Sequence, residues 1–188
     1  TPIAKMLITS YGTGPRPIIH NYKNKGSDII SIQRSNIAIV GIHFRGYYNT
    51  TRDRAGIGIL VNPYDNLLVE DSYFEGVTKA VDTHNPNAGI DFERSGLALR
   101  RSVIATTYAE GIYISQTRNV LIEGNIFYHN DWHEGELWYY DRDAPIAEIS
   151  SAGRTHGAYI QYYNDNVVVR DNIFASQFEG VTLRSGGI

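Results

Sequence analysis

Cysteine is absent from the 188-residue chain, methionine occurs once and proline six times. Without Cys there is neither a disulfide framework nor a thiolate zinc site, and the compartment cannot be read from redox chemistry. A basic excess is missing too. Lys+Arg number 17 against 20 Asp+Glu, a net charge of −3, which argues against a nucleic-acid partner, since that would normally show a basic stripe. No apolar run approaches the ~20 residues of a membrane-spanning helix, so no membrane partner is expected. No signal peptide is visible, and the chain opens on Thr1 rather than an initiator Met, as expected if a leader was removed or never included. Helical stretches are few. Present in quantity are Gly (18) and Tyr (14), with 42% apolar residues. That composition indicates a β-rich, turn-rich chain long enough for one domain with a sizeable core.

Internal repeats decide the fold class. Asn36-Ile-Ala-Ile-Val-Gly-Ile-His-Phe44 recurs as Asn66-Leu-Leu-Val-Glu-Asp-Ser-Tyr-Phe74, Asn119-Val-Leu-Ile-Glu-Gly-Asn-Ile-Phe127 and Asn166-Val-Val-Val-Arg-Asp-Asn-Ile-Phe174. A weaker copy runs from Gly96 to Ile104, so the starts are spaced 30, 30, 23 and 47. A second, glycine-initiated line reads Gly56-Ile-Gly-Ile, Gly89-Ile-Asp-Phe, Gly111-Ile-Tyr-Ile, Gly157-Ala-Tyr-Ile and Gly180-Val-Thr-Leu. Both lines alternate apolar and other residues with period two, the pattern of half-buried strands. Stacked copies would pair strand on strand about 4.8 Å apart. Phe44, Phe74, Ile104, Phe127 and Phe174 would then form an internal stack, and Ser72, Ser102, Asn125 and Asn172 a polar ladder at a turn. A β-sandwich of short strands is the competing fold, but it gives no reason for ladders in fixed register.

On these residues the chain resembles the right-handed parallel β-helix family found in polysaccharide lyases, some glycoside hydrolases and phage tailspikes. The resemblance implies an all-β solenoid over 1–188, a segment lacking one or both caps, secreted, extracellular or periplasmic, with a polysaccharide as partner. Open ends would expose unpaired strand edges and invite end-to-end self-association.

In the glycine-initiated line, Ile57/Ile59, Ile90/Phe92, Ile112/Ile114, Ala158/Ile160 and Val181/Leu183 are expected to face inward. Asp91/Glu93, Tyr113/Ser115, Tyr159/Gln161 and Thr182/Arg184 then face outward. The resemblance makes this sheet the floor of a substrate groove. Connections 45–55, 75–88 and 128–156 are expected to be long, and those at 105–110 and 175–179 short. Long loops on a rigid scaffold often carry function. The segment His129–Tyr140 holds both Trp residues, Trp132 and Trp138, whose faces suit sugar rings; pinning the loop to the solenoid is the plainer alternative. His84, in the opposite loop, could also reach inward.

Asp91 and Glu93, two apart on one strand, would hold their Cα atoms about 6.6–7 Å apart. That is compatible with an inverting glycosidase, with a Ca²⁺ site, or with a solvated strand face. A uronate lyase needs carboxylate neutralisation, a base and an acid. The four lysines, Lys5, Lys23, Lys25 and Lys79, are not expected on the candidate strand, which leaves His156, Tyr159, Tyr113 and Arg184 for those roles. His133-Glu134 lacks the second His of a zincin, Leu137 standing there, so no transition-metal site is expected. The leading expectation is a polysaccharide lyase or glycoside hydrolase with Asp91, Glu93, Tyr113, His156 and Tyr159 as catalytic candidates. Trp132, Trp138, Gln161, Arg184 and His84 are the substrate contacts, and Asp91 with Glu93 the calcium ligands. The rival is a non-catalytic tailspike, adhesin or filament solenoid.

Overall fold

A computed structural model describes residues 5–21, 27–46, 56–62, 65–83, 94–130, 156–176 and 179–184. Its strands come three to a coil. The first three coils are β1 (Met6–Thr9), β2 (Ile18–His20) and β3 (Ile30–Ile32); β4 (Ile37–Val40), β5 (His43–Arg45) and β6 (Ile59–Val61); and β7 (Leu67–Glu70), β8 (Tyr73–Glu75) and β9 (Val81–Asp82). The next three are β10 (Arg94–Arg100), β11 (Val103–Ala105) and β12 (Ile112–Ile114); β13 (Thr117–Glu123), β14 (Ile126–Tyr128) and β15 (His156–Gln161); and β16 (Asp165–Arg170), β17 (Ile173–Ala175) and β18 (Glu179–Arg184). First strands pair only with first strands, second with second and third with third. The result is three six-stranded sheets, which we call A, B and C. Every pairing is parallel. This is a parallel β-helix, as the repeats imply.

The interior follows from the period-two pattern. Ile39, Val69, Leu99 and Ile122 of sheet A face Phe44, Phe74, Ile104 and Phe127 of sheet B and Ile59, Val81, Ile112 and Ala158 of sheet C, all essentially without solvent contact. Stacking of like residues occurs where expected: Phe44 lies on Phe74 and Phe127 on Phe174, each with ring centroids 4.6 Å apart. Ile104 fills the rung between Phe74 and Phe127.

Corners solve a harder problem, because a chain that turns inside a stack must still satisfy its buried amides. Between sheets A and B the turn is two residues long. Its second residue bonds upward through its amide, which donates to the side chain of its counterpart in the next coil: the Ser72 amide to Ser102 Oγ at 3.1 Å, the Ser102 amide to Asn125 Oδ1 at 2.9 Å, and the Asn125 amide to Asn172 Oδ1 at 2.9 Å. This is the expected polar ladder. Its first residue is left-handed in every full repeat, at Gly41, Asp71, Arg101, Gly124 and Asp171.

Sheet C departs from expectation in its register. Ile112 pairs with Val81, and Val81 with Ile59. The third coil's strand is therefore β9, standing where Gly89–Phe92 was expected. The second coil is displaced by two residues, Gly58 rather than Gly56 matching Gly111. A two-residue slip keeps the same side chains inward, so the pattern survived the error. The cause is Ala80, which occupies the glycine column and breaks the Gly-first signature; the Ile59 amide donates to its carbonyl at 2.9 Å. Consequently 76–80, between β8 and β9, is a short connection, not the start of a long loop at 75–88. The extra residues of this coil come after sheet C, between β9 and β10. The connections from β5 to β6 and from β14 to β15 are long, as expected. Val181 and Leu183 align with Ala158 and Ile160 yet are exposed, Leu183 by 71%, because β18 is the last strand of its sheet.

Candidate functional site

The outward column of sheet C runs Ser31, Leu60, Asp82, Tyr113, Tyr159 and Thr182, one residue per coil. Strand alternation places these side chains outside the solenoid, and parallel pairing brings neighbours about 4.8 Å apart along the axis. Tyr113 and Tyr159 are thereby packed ring to ring, with centroids 5.1 Å apart. His156, at the start of β15, stacks on the other side of Tyr159 at 4.6 Å. Its Nδ1 lies 2.9 Å from Thr182 Oγ1. One column further along, Arg184 Nη1 donates to the Tyr159 hydroxyl at 3.1 Å.

The other flank of Tyr113 is ionic. Lys79, in the short connection before β9, places Nζ 4.6 Å from the Tyr113 ring centre, a cation–π geometry. The same ammonium donates to Asp82 Oδ2 at 2.8 Å and lies 3.8 Å from Glu110 Oε2. Burial, followed by the neighbouring Tyr159, Tyr162, Asp82 and Glu110, pushes the Tyr113 phenol well above its ordinary range, since each disfavours a phenolate there. Asp28, just before β3, is also raised: burial dominates and Asp82 adds to it, against the hydrogen bond from the Ile57 amide.

Of the expected site residues, Tyr113, His156, Tyr159 and Arg184 come together in one contiguous cluster. Gln161 lies beside it, opposite Arg184 in register. The cluster is not an open floor. Tyr113 is 7% exposed, Tyr159 8% and Ser115 fully buried, leaving Arg184 as its solvent-facing member. Asp91, Glu93, His84, Trp132 and Trp138 lie outside the described residues, and so does the proposed calcium pair. The ladder place expected for Asp91 belongs to Asp82. Among the described residues no three His, Asp or Glu side chains converge as metal ligands.

Reading the Gly89 phrase as the strand hides Lys79, Asp82 and Glu110 as site residues. Spacing carried the signal: Phe74 precedes Val81 by the same seven residues that separate Phe174 from Val181. Outside sheet C, a second polar cluster lies on sheet B, where Glu75 Oε1 meets Arg45 Nε at 2.5 Å and His43 Nε2 at 3.1 Å. Its groups pair with one another, and it reads as surface support for two coils.

No curated protein and no solved structure matches the chain. A family match does exist, to the family described as right handed beta helix region, over residues 17–187. Its span contains β2 through β18, and so the whole of the Tyr113–Tyr159 cluster. With three parallel sheets, coil-to-coil ladders and this match in agreement, the chain belongs to the right-handed β-helix family.

Proposed function

We propose that this chain is an extracellular carbohydrate-active protein that cleaves an acidic polysaccharide by β-elimination, with sheet C as its site. The observation that carries the reading is the contrast between two touching tyrosines. Burial, then Tyr159, Tyr162, Asp82 and Glu110, favour the neutral, proton-donating form of Tyr113. Tyr159 accepts a hydrogen bond from the Arg184 guanidinium at 3.1 Å, so its hydroxyl stands beside the group that would receive a uronate carboxylate.

In this mechanism Arg184 neutralises the uronate carboxylate, making the C5 proton removable. Tyr159 takes that proton while His156, stacked on it and tied to Thr182, fixes its ring. The C4–O bond breaks, a C4=C5 double bond forms, and Tyr113 gives its proton to the leaving oxygen. Gln161 is placed to address a hydroxyl. Trp132 and Trp138 remain proposed sugar platforms, and Asp91 with Glu93 a proposed calcium pair or acid–base pair for a hydrolase.

The test is a polysaccharide panel read by absorbance of unsaturated uronate ends and by release of reducing sugar. We expect unsaturated ends from an acidic polymer, reduced 10²–10⁴-fold in Tyr159→Phe and in Tyr113→Phe. Release of saturated reducing ends alone would replace the lyase with a hydrolase. Silence in both assays, with no glycan binding, would leave the rival reading, a non-catalytic solenoid. The low exposure of the cluster favours that rival. The rival reading includes end-to-end association, measurable by sedimentation.

A further inference from the structure

Among the described residues, charge is distributed unevenly along the sheet C cluster, and the asymmetry runs along the axis a bound polymer would follow. At one end Asp82 and Glu110 hold the Lys79 ammonium between them, and Asp28 lies within reach of the Asp82 charge. At the other end stands Arg184, exposed, with the Tyr159 hydroxyl as its partner. His156, stacked on Tyr159, has its Nδ1 2.9 Å from Thr182 Oγ1 on the strand of Arg184. At the corner toward sheet A, Arg94 is buried, its Nε donating to the Val61 carbonyl at 3.0 Å. From β9 to β18 the path covers three strand spacings, about 14 Å, and a sugar unit is about as long as one spacing. A polymer with a carboxylate on every sugar would put negative charge against the acidic end, where low dielectric strengthens the repulsion.

We infer that the substrate is a heteropolymer in which a uronate adjoins a neutral sugar, the uronate lying at Arg184 and the neutral unit over Tyr113 and Asp82. This rests on the reading of sheet C as the polysaccharide site and adds to it the sugar pattern and the direction of binding. Lys79 is a charge-compensating residue here, already neutralised, and is no carboxylate receptor. Discrimination between partners comes from the repulsive element as much as from the attractive one.

Three probes decide it, compared at one low salt concentration because screening erases such differences. They are oligosaccharides of matched length from hyaluronan, in which uronate and neutral N-acetylhexosamine alternate, from polygalacturonate, charged at every unit, and from dextran, uncharged. Calorimetric titration of the full chain should give hyaluronan oligosaccharides an affinity about tenfold above polygalacturonate, with dextran weakest. Glu110→Gln and Asp82→Asn should each narrow that gap by strengthening polygalacturonate. Glu110→Gln serves as the safer variant, because Glu110 is the more distant partner of Lys79. Arg184→Gln, at an exposed position, should weaken hyaluronan to the level of dextran. Polygalacturonate bound as tightly as hyaluronan, or a gap unmoved by Glu110→Gln in a folded protein, overturns the inference while leaving the polysaccharide site standing. Failure of all three probes to bind removes the sheet C reading itself.

Discussion

Among the described residues, thirteen that are not glycine adopt a left-handed backbone, Arg101 and Thr106 included. Asn tolerates this conformation through local hydrogen bonding, whereas a β-branched residue pays steric strain of about 1–2 kcal/mol. Stacking explains their presence: Asn36, Asn66, Gly96, Asn119 and Asn166 form one left-handed column at the start of sheet A. Within it Asn66 Nδ2 donates to Asn36 Oδ1 at 2.9 Å and Asn166 Nδ2 to Asn119 Oδ1 at 2.8 Å. Gly76, Thr106, His129 and Ser176 form another column after sheet B. Each coil must turn where its neighbour turns, and the geometry is imposed even where the residue is poorly suited. Thr106→Gly should therefore raise the urea midpoint by the equivalent of about 1 kcal/mol, less the weak bond its Oγ1 accepts from the Gly76 amide at 3.4 Å. Gly96→Ala should do the reverse. Its φ is +80° and an added Cβ would stand 2.6 Å from Asn66 Oδ1, so a midpoint equal to that of the parent chain would contradict the ladder.

Single elements are three or four residues long for the most part, too short to be stable outside the stack. Their stability is a property of the columns. Asn125 is the clearest case: Nδ2 donates to the Leu99 carbonyl and to Asn172 Oδ1, each at 2.9 Å, while Oδ1 receives the Ser102 amide. Asn125→Ala strands a buried amide and a buried carbonyl, each worth about 1–3 kcal/mol. Thermal melting should show a loss larger than that of the exposed-column change Asn36→Ala. On the sheet B exterior, burial holds His43 below its ordinary value, with Arg45 and Arg16 adding to the effect against the pull of Glu75. A histidine depressed in the folded state binds fewer protons there than when unfolded, so stability is full above about pH 6.5 and declines as pH falls below it. Burial pushes Glu75 up, but Arg45 and then His43 hold it below its ordinary value, and its contribution is lost in a separate, more acidic window. The melting temperature should fall between pH 7 and about 5.5, and His43→Gln should flatten that slope.

At the scale of the whole molecule, the stack turns sequence spacing into a site. Tyr113 and Tyr159 are separated by 46 positions in the chain and by one rung in space. Lys79→Met, by removing the cation that Asp82 and Glu110 share, should leave two carboxylates facing each other near Tyr113. We expect a midpoint drop of about 3 kcal/mol, most of it recovered in Lys79→Arg by unfolding measurement. The Phe stack and the Ser–Asn ladder were legible because a parallel stack requires like residues in register, and repeats display that directly. The facing of sheet C was legible too, since alternation fixes which side chain is inside. What the sequence by itself determined is thus the solenoid and its columns, through period and alternation. Only the tertiary structure decided that Val81–Asp82 takes the rung beside Tyr113, because backbone pairing with Gly111 and Tyr113 accepts Ala80 where a glycine signature does not. It likewise decided that Lys79 and Glu110, from connections on successive coils, share a cluster with Asp82. Charge and distance across rungs are set by stacking, and no local run of residues encodes them.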